Sequence, residues 1–206
     1  MLRYAAHFLA RGCVVGIPTD TFYGLAADVF NLAAVDEIYR VKGRPETRAL
    51  PILVNSLDQA LVLMREHFVD DDTRMKYPPK NFMLLAESFW PGGLTIVTNA
   101  SDRVPLKVTA NTGKVALRWP KSAVVEKLIE EFGGPLTGTS ANISGFPACA
   151  NSEQLMRQLG SRLPLVLDAG ETGKGLPSTI VGLQDDDWEI LREGAIPVAE
   201  IERVLQ

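Results

Sequence analysis

The chain has few residues of the types that transfer protons or bind metals. It contains two histidines, His7 and His67, and two cysteines, Cys13 and Cys149, and none of the four stands in a metal-ligand spacing. The sequence therefore offers few residues from which a Ser-His-Asp triad or a zinc-hydrolase site could be built. The cysteines are expected to be small buried or half-buried residues. Any catalysis must come mainly from positioning and charge.

Long apolar runs and an excess of positive charge are also absent. No apolar run reaches about 18 residues, and the first residues are interrupted by Arg3, His7 and Arg11. Neither a membrane span nor a secretory signal is supported, so a cytoplasmic protein is expected. The formal net charge of -4 argues against a protein whose main role is to neutralise nucleic-acid phosphates, although a local basic patch stays open.

The remaining composition is that of one folded domain. Hydrophobic residues make up 46% and charged residues 22% of the 206 residues, which is ordinary for a globular protein with a packed core. Short apolar segments alternate with stretches of helical periodicity, a pattern typical of an α/β or mixed α+β sheet. A single domain over 1–206 is therefore predicted.

Periodicity and turn residues place the elements along the chain. They predict helices over 2–10, 32–42, 57–68, 123–132, 152–163 and 197–205, a further short helix through Leu84 and Leu85, and strands over 14–18, 50–54, 94–98, 115–119, 136–139, 165–167, 180–183 and 188–192. Residues 19–25 are predicted to form a polar loop, 70–79 an exposed connection and 185–187 a hairpin turn.

Three cations, Lys42, Arg44 and Arg48, fall within one seven-residue stretch. Pro45 disfavours helix at Arg44, so we expect the first two cations to stand on a turn. They could simply complement the negative end of the preceding helix. Three cations together also suit the charge of a triphosphate. Because the turn is polar, replacing Lys42 or Arg44 by alanine is expected to leave the fold intact.

A second polar group follows the strand predicted over 136–139. Ser140 and Asn142 stand there among further hydroxyl residues, with Gly138 and Gly145 on either side. Such residues can form a turn that bonds its own backbone. The crowding of hydroxyls and an amide, with glycines that allow close backbone approach, fits a polar ligand better than a packed core.

Arg118 and Arg192 each stand at the end of a predicted strand. Either side chain could pair with an acid on the sheet surface, or could receive a carboxylate through two hydrogen bonds. The glycine-bearing loop 170–175 lacks the Gly-Lys-Ser/Thr ending of a Walker A motif, and no Gly-x-Gly-x-x-Gly fingerprint follows any strand. We interpret 171–177 as a mobile lid.

Taken in order, seven motifs resemble the YrdC/Sua5 family of threonylcarbamoyl-adenylate synthases. They are PTDTFYGL at 18–25, KGRP at 42–45, PGGLT at 91–95, VALRWP at 115–120, TSANISG at 139–145, STIV at 178–181 and LREG at 191–194. The family's Lys-x-Arg with Ser-x-Asn signature falls on Lys42, Arg44, Ser140 and Asn142. The resemblance covers nearly the whole chain.

The resemblance implies an α/β (α+β) fold, with a twisted mixed parallel/antiparallel sheet, flanking helices and a large concave cavity. It implies that L-threonine, bicarbonate or CO2, and ATP condense to threonylcarbamoyl-AMP and pyrophosphate, and that partner proteins use the product to form N6-threonylcarbamoyladenosine in tRNA. Mg2+ would arrive with ATP, without a tightly bound protein metal site. Lys42 and Arg44 would offset charge as pyrophosphate leaves. The implied threonine ligands are Thr21, Arg118, Ser140 and Ser178, and the implied ATP ligands are Lys42, Arg44, Arg48, Asn142 and Arg192.

The chain departs from the family pattern in places. Gly93 stands where many members have proline, and Arg48 and Leu53 stand where some have asparagine and histidine. The extra C-terminal domain of the longer Sua5 type is not expected. Two other functions remain open: an RNA-binding module of the same fold without adenylate synthesis, which the acidic charge disfavours, and a carbamoyl-transferring relative, which normally carries acylphosphatase and zinc-finger modules.

Overall fold

The computed structural model describes residues 1–65, 67–68, 76–173, 175–184 and 187–206. Its helices are α1 (Leu2–Ala10), α2 (Leu32–Lys42), α3 (Leu57–Leu63), α4 (Lys80–Phe89), α5 (Ala123–Phe132), α6 (Ser152–Leu159) and α7 (Val198–Leu205). Its strands are β1 (Val15–Pro18), β2 (Tyr23–Ala26), β3 (Ile52–Leu53), β4 (His67–Phe68), β5 (Lys76–Tyr77), β6 (Leu94–Asn99), β7 (Lys114–Arg118), β8 (Leu136–Thr137), β9 (Thr139–Ser140), β10 (Leu165–Val166), β11 (Thr179–Gln184) and β12 (Asp187–Arg192). Most of the predicted 70–79 connection, most of the 185–187 turn and Lys174 of the predicted lid lie outside the described residues.

The helix boundaries follow from capping residues. Asn31 accepts hydrogen bonds from the first backbone N–H groups of α2, and Ser56 and Ser122 do the same for α3 and α5. These side chains satisfy donors that a helix start leaves free. Gly43 ends α2 in the left-handed conformation, with a φ of 58°, a position that glycine takes without steric cost. Lys42 is therefore the last residue of α2.

Two mixed sheets form the framework, which confirms the predicted mixed α/β class. The four-stranded sheet has the order β10-β1-β2-β9, with β10 parallel to β1 and the other neighbours antiparallel. The six-stranded sheet has the order β12-β11-β6-β7-β3-β8, with the β11–β6 and β3–β7 pairs parallel. Strands β4 and β5 pair separately. No helix among the described residues is long and apolar enough to cross a membrane.

The strand predicted over 136–139 is divided between the two sheets. Strand β8 pairs with β3 in the six-stranded sheet, whereas β9 pairs with β2 in the four-stranded sheet. Gly138 lies between them, and a Cβ atom there would come 2.3 Å from Cγ of Leu53. The position therefore favours glycine, which has no side chain to place in that space. The chain passes from one sheet to the other at Gly138 and carries Ser140 to the gap between them. We call this gap the seam.

Besides the divided strand, several predicted elements are wrong in extent. The strand predicted over 50–54 is only Ile52–Leu53. Residues 23–26 form the buried strand β2 and not part of a polar loop. Helix α3 ends at Leu63 and α6 at Leu159, before the predicted ends at 68 and 163, and a 3-10 turn over Gly160–Arg162 continues from α6. The helical spacing of apolar residues continued past both ends because Met64 and Leu163 still pack against the core.

Candidate active site

An open cavity of about 480 Å³ lies at the seam. Its wall takes residues from the loop after β1, from β6, β7 and β9, and from the segments around β11 and β12. The polar side chains in the wall belong to Thr19, Thr21, Tyr23, Arg44, Thr95, Arg118, Thr139, Ser140, Asn142, Ser178 and Arg192. Among the described residues no Asp, Glu or His lines this cavity, so its polar character comes from cations, hydroxyls and an amide.

Arg118, at the end of β7, is held at three points. Its Nε donates to the Gly92 carbonyl at 3.1 Å, its Nη1 to Oγ1 of Thr21 at 3.0 Å and its Nη2 to Oδ1 of Asp20 at 2.7 Å. Burial lowers the pKa of the guanidinium and the Asp20 charge opposes that shift, but an arginine remains charged. Arg118 thus does have an acidic partner, as one of the two interpretations proposed, although this partner is largely buried rather than on the sheet surface.

Arg192 holds Ser178 across the β11–β12 hairpin. Its Nη2 donates to the Ser178 carbonyl at 2.7 Å and to Ser178 Oγ at 3.0 Å. Ser178 Oγ lies 2.8 Å from Oγ1 of the buried Thr95. Partial desolvation, and then the nearby charge of Arg118, lower the pKa of Arg192. Both guanidiniums line the cavity, near enough for their charges to interact.

Lys42 binds the 140–142 turn from behind. Its Nζ donates to the carbonyl of Ser140, to the carbonyl of Asn142 at 2.9 Å and to Asn142 Oδ1 at 3.3 Å. Ser140 Oγ donates to the same Oδ1 at 2.5 Å. The Asn142 amide nitrogen donates to the carbonyls of Ile143 and Phe146. The Lys-x-Arg and Ser-x-Asn motifs, about a hundred residues apart in the chain, are thus one hydrogen-bonded unit.

The expectation that both signature cations stand on a polar turn is wrong for Lys42, which is the last residue of α2. Its side chain is 1% exposed and the residue does not line the cavity. Burial, and then the like charge of Arg44, lower the pKa of Lys42 to about 8. Three oxygen acceptors around Nζ favour the ammonium form. A buried ammonium at this position fixes the backbone of the turn that reaches the cavity wall.

The remaining two predicted ATP ligands differ in placement. Arg44 lines the cavity, and its guanidinium donates to the backbone carbonyls of Arg48 and Ala49. Desolvation is the main cause that lowers the pKa of Arg44. Arg48 is exposed and its side chain is not part of the wall. The structure therefore brings together every predicted threonine and ATP ligand except Lys42, which lies behind the wall, and Arg48, which lies outside it.

Three residues at the site were not singled out from the sequence. Asp20 pairs with Arg118, Thr95 with Ser178, and Phe146 lines the cavity with a ring that is 60% exposed. The backbone of Phe146 is fixed, because its carbonyl accepts from Asn142 at 2.7 Å and its N–H donates to Ile143. An exposed aromatic ring at a cavity edge can stack on a flat heterocycle. Asp20 and Thr95 lie inside recognised motifs, which was the available signal.

No group of three or more His, Cys, Asp or Glu residues that could hold a metal ion occurs in the part of the chain that the structure describes. The free cysteines lie as predicted, Cys149 buried and Cys13 half-buried.

Comparison with known proteins decides the family. The family model Sua5_yciO_yrdC, described as telomere recombination, matches residues 7–194. The chain belongs to the Sua5/YciO/YrdC family. A family relative from Pyrococcus abyssi, a threonylcarbamoyl-AMP synthase, is 36% identical over 99% of this chain and 57% of its own length. A second, from Vibrio cholerae with the same name, is 33% identical over 94% of this chain and 97% of its own length.

Solved structures of the family agree with the fold. The structure of P. abyssi Sua5 complexed with L-threonine has a TM-score of 0.90 at 35% identity, over 98% of this chain and 56% of that chain. Escherichia coli YciO has a TM-score of 0.80 at 23% identity, which supports the fold alone. The chain spans about half the length of several relatives that it matches and nearly all of the Vibrio relative.

Proposed function

We propose that this chain is a threonylcarbamoyl-AMP synthase, which condenses L-threonine, bicarbonate or CO2, and ATP to threonylcarbamoyl-AMP and pyrophosphate. One observation carries the proposal: a rigidly held arginine with neighbouring hydroxyls faces the same cavity as Arg44 and the Ser140–Asn142 turn that Lys42 holds from behind. The first set suits an amino-acid carboxylate and hydroxyl, and the second suits phosphates. Relatives that carry this activity as their name support it.

The reaction needs no protein nucleophile. The amine nitrogen of threonine forms a bond to the carbon of bicarbonate with loss of water, or to that of CO2 with loss of a proton to solvent, and gives a carbamate. A carbamate oxygen then forms a bond to the α-phosphorus while the bond from that phosphorus to the pyrophosphate oxygen breaks. The displacement requires the two reactants to be held in line and the departing charge to be offset. A wall of cations and hydroxyls without an Asp, Glu or His among its described residues suits this chemistry better than proton transfer.

Residue roles follow from this arrangement. Thr21, Arg118 and Ser178 would bind threonine, with Ser140 between the substrates. Arg44 and Asn142 would bind ATP, and Arg192 stands near enough to Arg118 to face either substrate. Lys42 would act from behind the wall by fixing the Ser140–Asn142 turn. The remaining implied ligand, Arg48, would have to turn inward to contact ATP.

Mg2+ enters this proposal as part of the ATP substrate. Mg2+ bound with nucleotides takes phosphate and water oxygens and few protein carboxylates, and the hydroxyls of the described wall are compatible with such a complex. We further propose that 1–206 acts as a single domain in the cytoplasm, and that other proteins of the threonylcarbamoyl-transfer machinery pass the product to tRNA.

Pyrophosphate release tests the function. The purified protein is supplied with ATP, Mg2+, bicarbonate and L-threonine, each is omitted in turn, and L-serine replaces threonine as the control amino acid. Release that needs both threonine and bicarbonate supports the proposal. RNA binding without pyrophosphate release under any of these conditions would instead favour an RNA-binding module of the same fold.

A further inference from the structure

We propose that Asp20 is a positioning residue that presets Arg118 to receive the carboxylate of the amino-acid substrate. The proposal rests on the proposed function, because it assumes that the cavity binds an amino acid. Three observations support this role: the buried ion pair between Asp20 and Arg118, the position of Asp20 outside the cavity lining, and the packing of the Asp20 backbone.

The Asp20–Arg118 pair is unusual in its burial. The two atoms Arg118 Nη2 and Asp20 Oδ1 are 2.7 Å apart, and the side chains are 9% and 18% exposed. Every other ion pair between described residues has at least one side chain that is 49% exposed or more. Exposed pairs contribute little to stability or orientation. A pair withdrawn from water holds its geometry, because releasing it would leave a desolvated guanidinium.

The hydrogen bonds of Arg118 also limit which of its donors remain for a ligand. A guanidinium has five N–H donors, and the bonds to Gly92, Thr21 and Asp20 use one on Nε and one on each terminal nitrogen. One N–H on each terminal nitrogen stays available, which is the number that a carboxylate accepts in a bidentate contact. Without Asp20, the guanidinium loses its shortest anchor and can turn about its side-chain bonds.

Asp20 acts through Arg118 and not on the substrate. Arg118 and Thr21 line the cavity, whereas Asp20 does not. The backbone of Asp20 is itself covered, since a Cβ atom on Gly173 would lie 2.0 Å from the Asp20 carbonyl oxygen. The chain before Gly173 is held in turn by Tyr23, whose hydroxyl donates to the Gly170 carbonyl at 2.9 Å. The backbone that carries the Asp20 carboxylate is therefore packed against the segment around Gly173.

Substitution at Asp20 tests the proposal through amino-acid binding. The affinities of the full chain for L-threonine, for L-threoninamide and for ATP are measured by calorimetry. In Asp20→Ala we expect threonine affinity to fall by about tenfold or more, with unchanged affinities for ATP and for the amide, which lacks the carboxylate. In Asp20→Asn, which keeps an oxygen acceptor at the same place, we expect most of the threonine affinity to return.

Each other outcome overturns the proposal. An unchanged threonine affinity in Asp20→Ala does so, as does an equal loss for threonine and threoninamide, or an Asn variant as weak as the Ala variant. If Asp20→Ala fails to fold in a thermal unfolding experiment, Asp20→Glu replaces it. That variant moves the carboxylate by one methylene and must also weaken threonine alone. Wild-type protein that binds no threonine would count against the proposed function, and normal binding without an Asp20 effect only against this proposal.

Discussion

Replacing Lys42 by methionine is expected to change how stability depends on pH. Methionine fills a similar volume without an ammonium group. The pKa of Lys42 is lowered from 10.5 to about 8 in the folded protein, so between these pH values the unfolded chain binds more protons than the folded one. The free energy of unfolding must therefore rise with pH across this window, and the cost of burying the ammonium is fully present below pH 8.

The magnitude follows from the size of the shift. Each pH unit inside the window is worth at most about 1.4 kcal/mol, which gives the wild type a gain of roughly 2 kcal/mol over Lys42→Met between pH 7 and pH 10. Arg44 and Cys149 are the charged or titratable groups that act on Lys42. Both remain in the variant, but the charge of Lys42 lowers the pKa of Cys149, so the difference between the two proteins reports the coupled titration of Lys42 and Cys149.

Urea unfolding of both proteins at pH 7, 8, 9 and 10 measures the effect. The difference in unfolding free energy between wild type and Lys42→Met should change in favour of the wild type as pH rises. A difference that stays constant over this range would refute the reasoning, because it would mean that the folded state does not lower the pKa of Lys42. Adenylate formation by the variant should also be reduced, since the Ser140 and Asn142 oxygens lose their common donor.

Three further substitutions test the cavity wall. Arg44→Ala is expected to raise KM for ATP by about tenfold or more, whereas exposed Arg48→Ala should raise it less; steady-state kinetics that rank them in the opposite order would show that Arg48 is the principal ligand. Thr95→Val removes the buried hydroxyl that pairs with Ser178. It should lower the free energy of unfolding in urea by about 1 kcal/mol and weaken threonine use; full threonine affinity would contradict this. Phe146→Ala should weaken ATP binding but not threonine binding in calorimetry, with the exposed Met156→Ala as the matched control, and equal ATP affinity in both variants would remove the ring from the nucleotide site.

The sequence was a good guide to which motifs meet. Thr21 and Arg118 were assigned to one ligand by resemblance, and they are hydrogen bonded to each other across 97 residues of chain. The predicted helix starts at Leu57 and Ala123 are confirmed, and each helix is capped by the serine that precedes it. Helix starts can be predicted locally because an N-cap side chain bonds only to the first residues of its own helix. The order of the motifs along the chain indicated which distant segments meet, which capping and periodicity do not.

The burial of Lys42 was missed although a signal existed. Lys42 follows Ile38 by four residues and Val35 by seven, so it lies on the buried face of α2. Pro45 predicts where the helix ends, but it does not indicate on which face of the helix Lys42 lies. The partner of Asp20 could not be found in the same way, because ion pairing between distant segments depends on how the sheets are assembled.

The division of the strand over 136–139 had a weaker signal. An isolated glycine in a strand pattern can mark a close backbone approach, but the sequence does not say which side chain approaches. Leu53 fills the space beside Gly138, and this contact is set by tertiary packing. The position of the seam, and therefore of the cavity, depends on this packing contact, which the periodicity of apolar residues does not predict.

The position of the cavity at the seam has a mechanical consequence. Asp20, Thr21 and Ser140 belong to the four-stranded sheet or its loops, whereas Thr95, Arg118, Ser178 and Arg192 belong to the six-stranded sheet and its flanks. The proposed threonine ligands Thr21 and Arg118 therefore come from different sheets, and an error of about 1 Å in the position of a bound reactant can slow a reaction by roughly a hundredfold. A core substitution that shifts one sheet against the other is expected to change the shape of the threonine site and to slow the chemical step, although the substituted residue contacts no substrate.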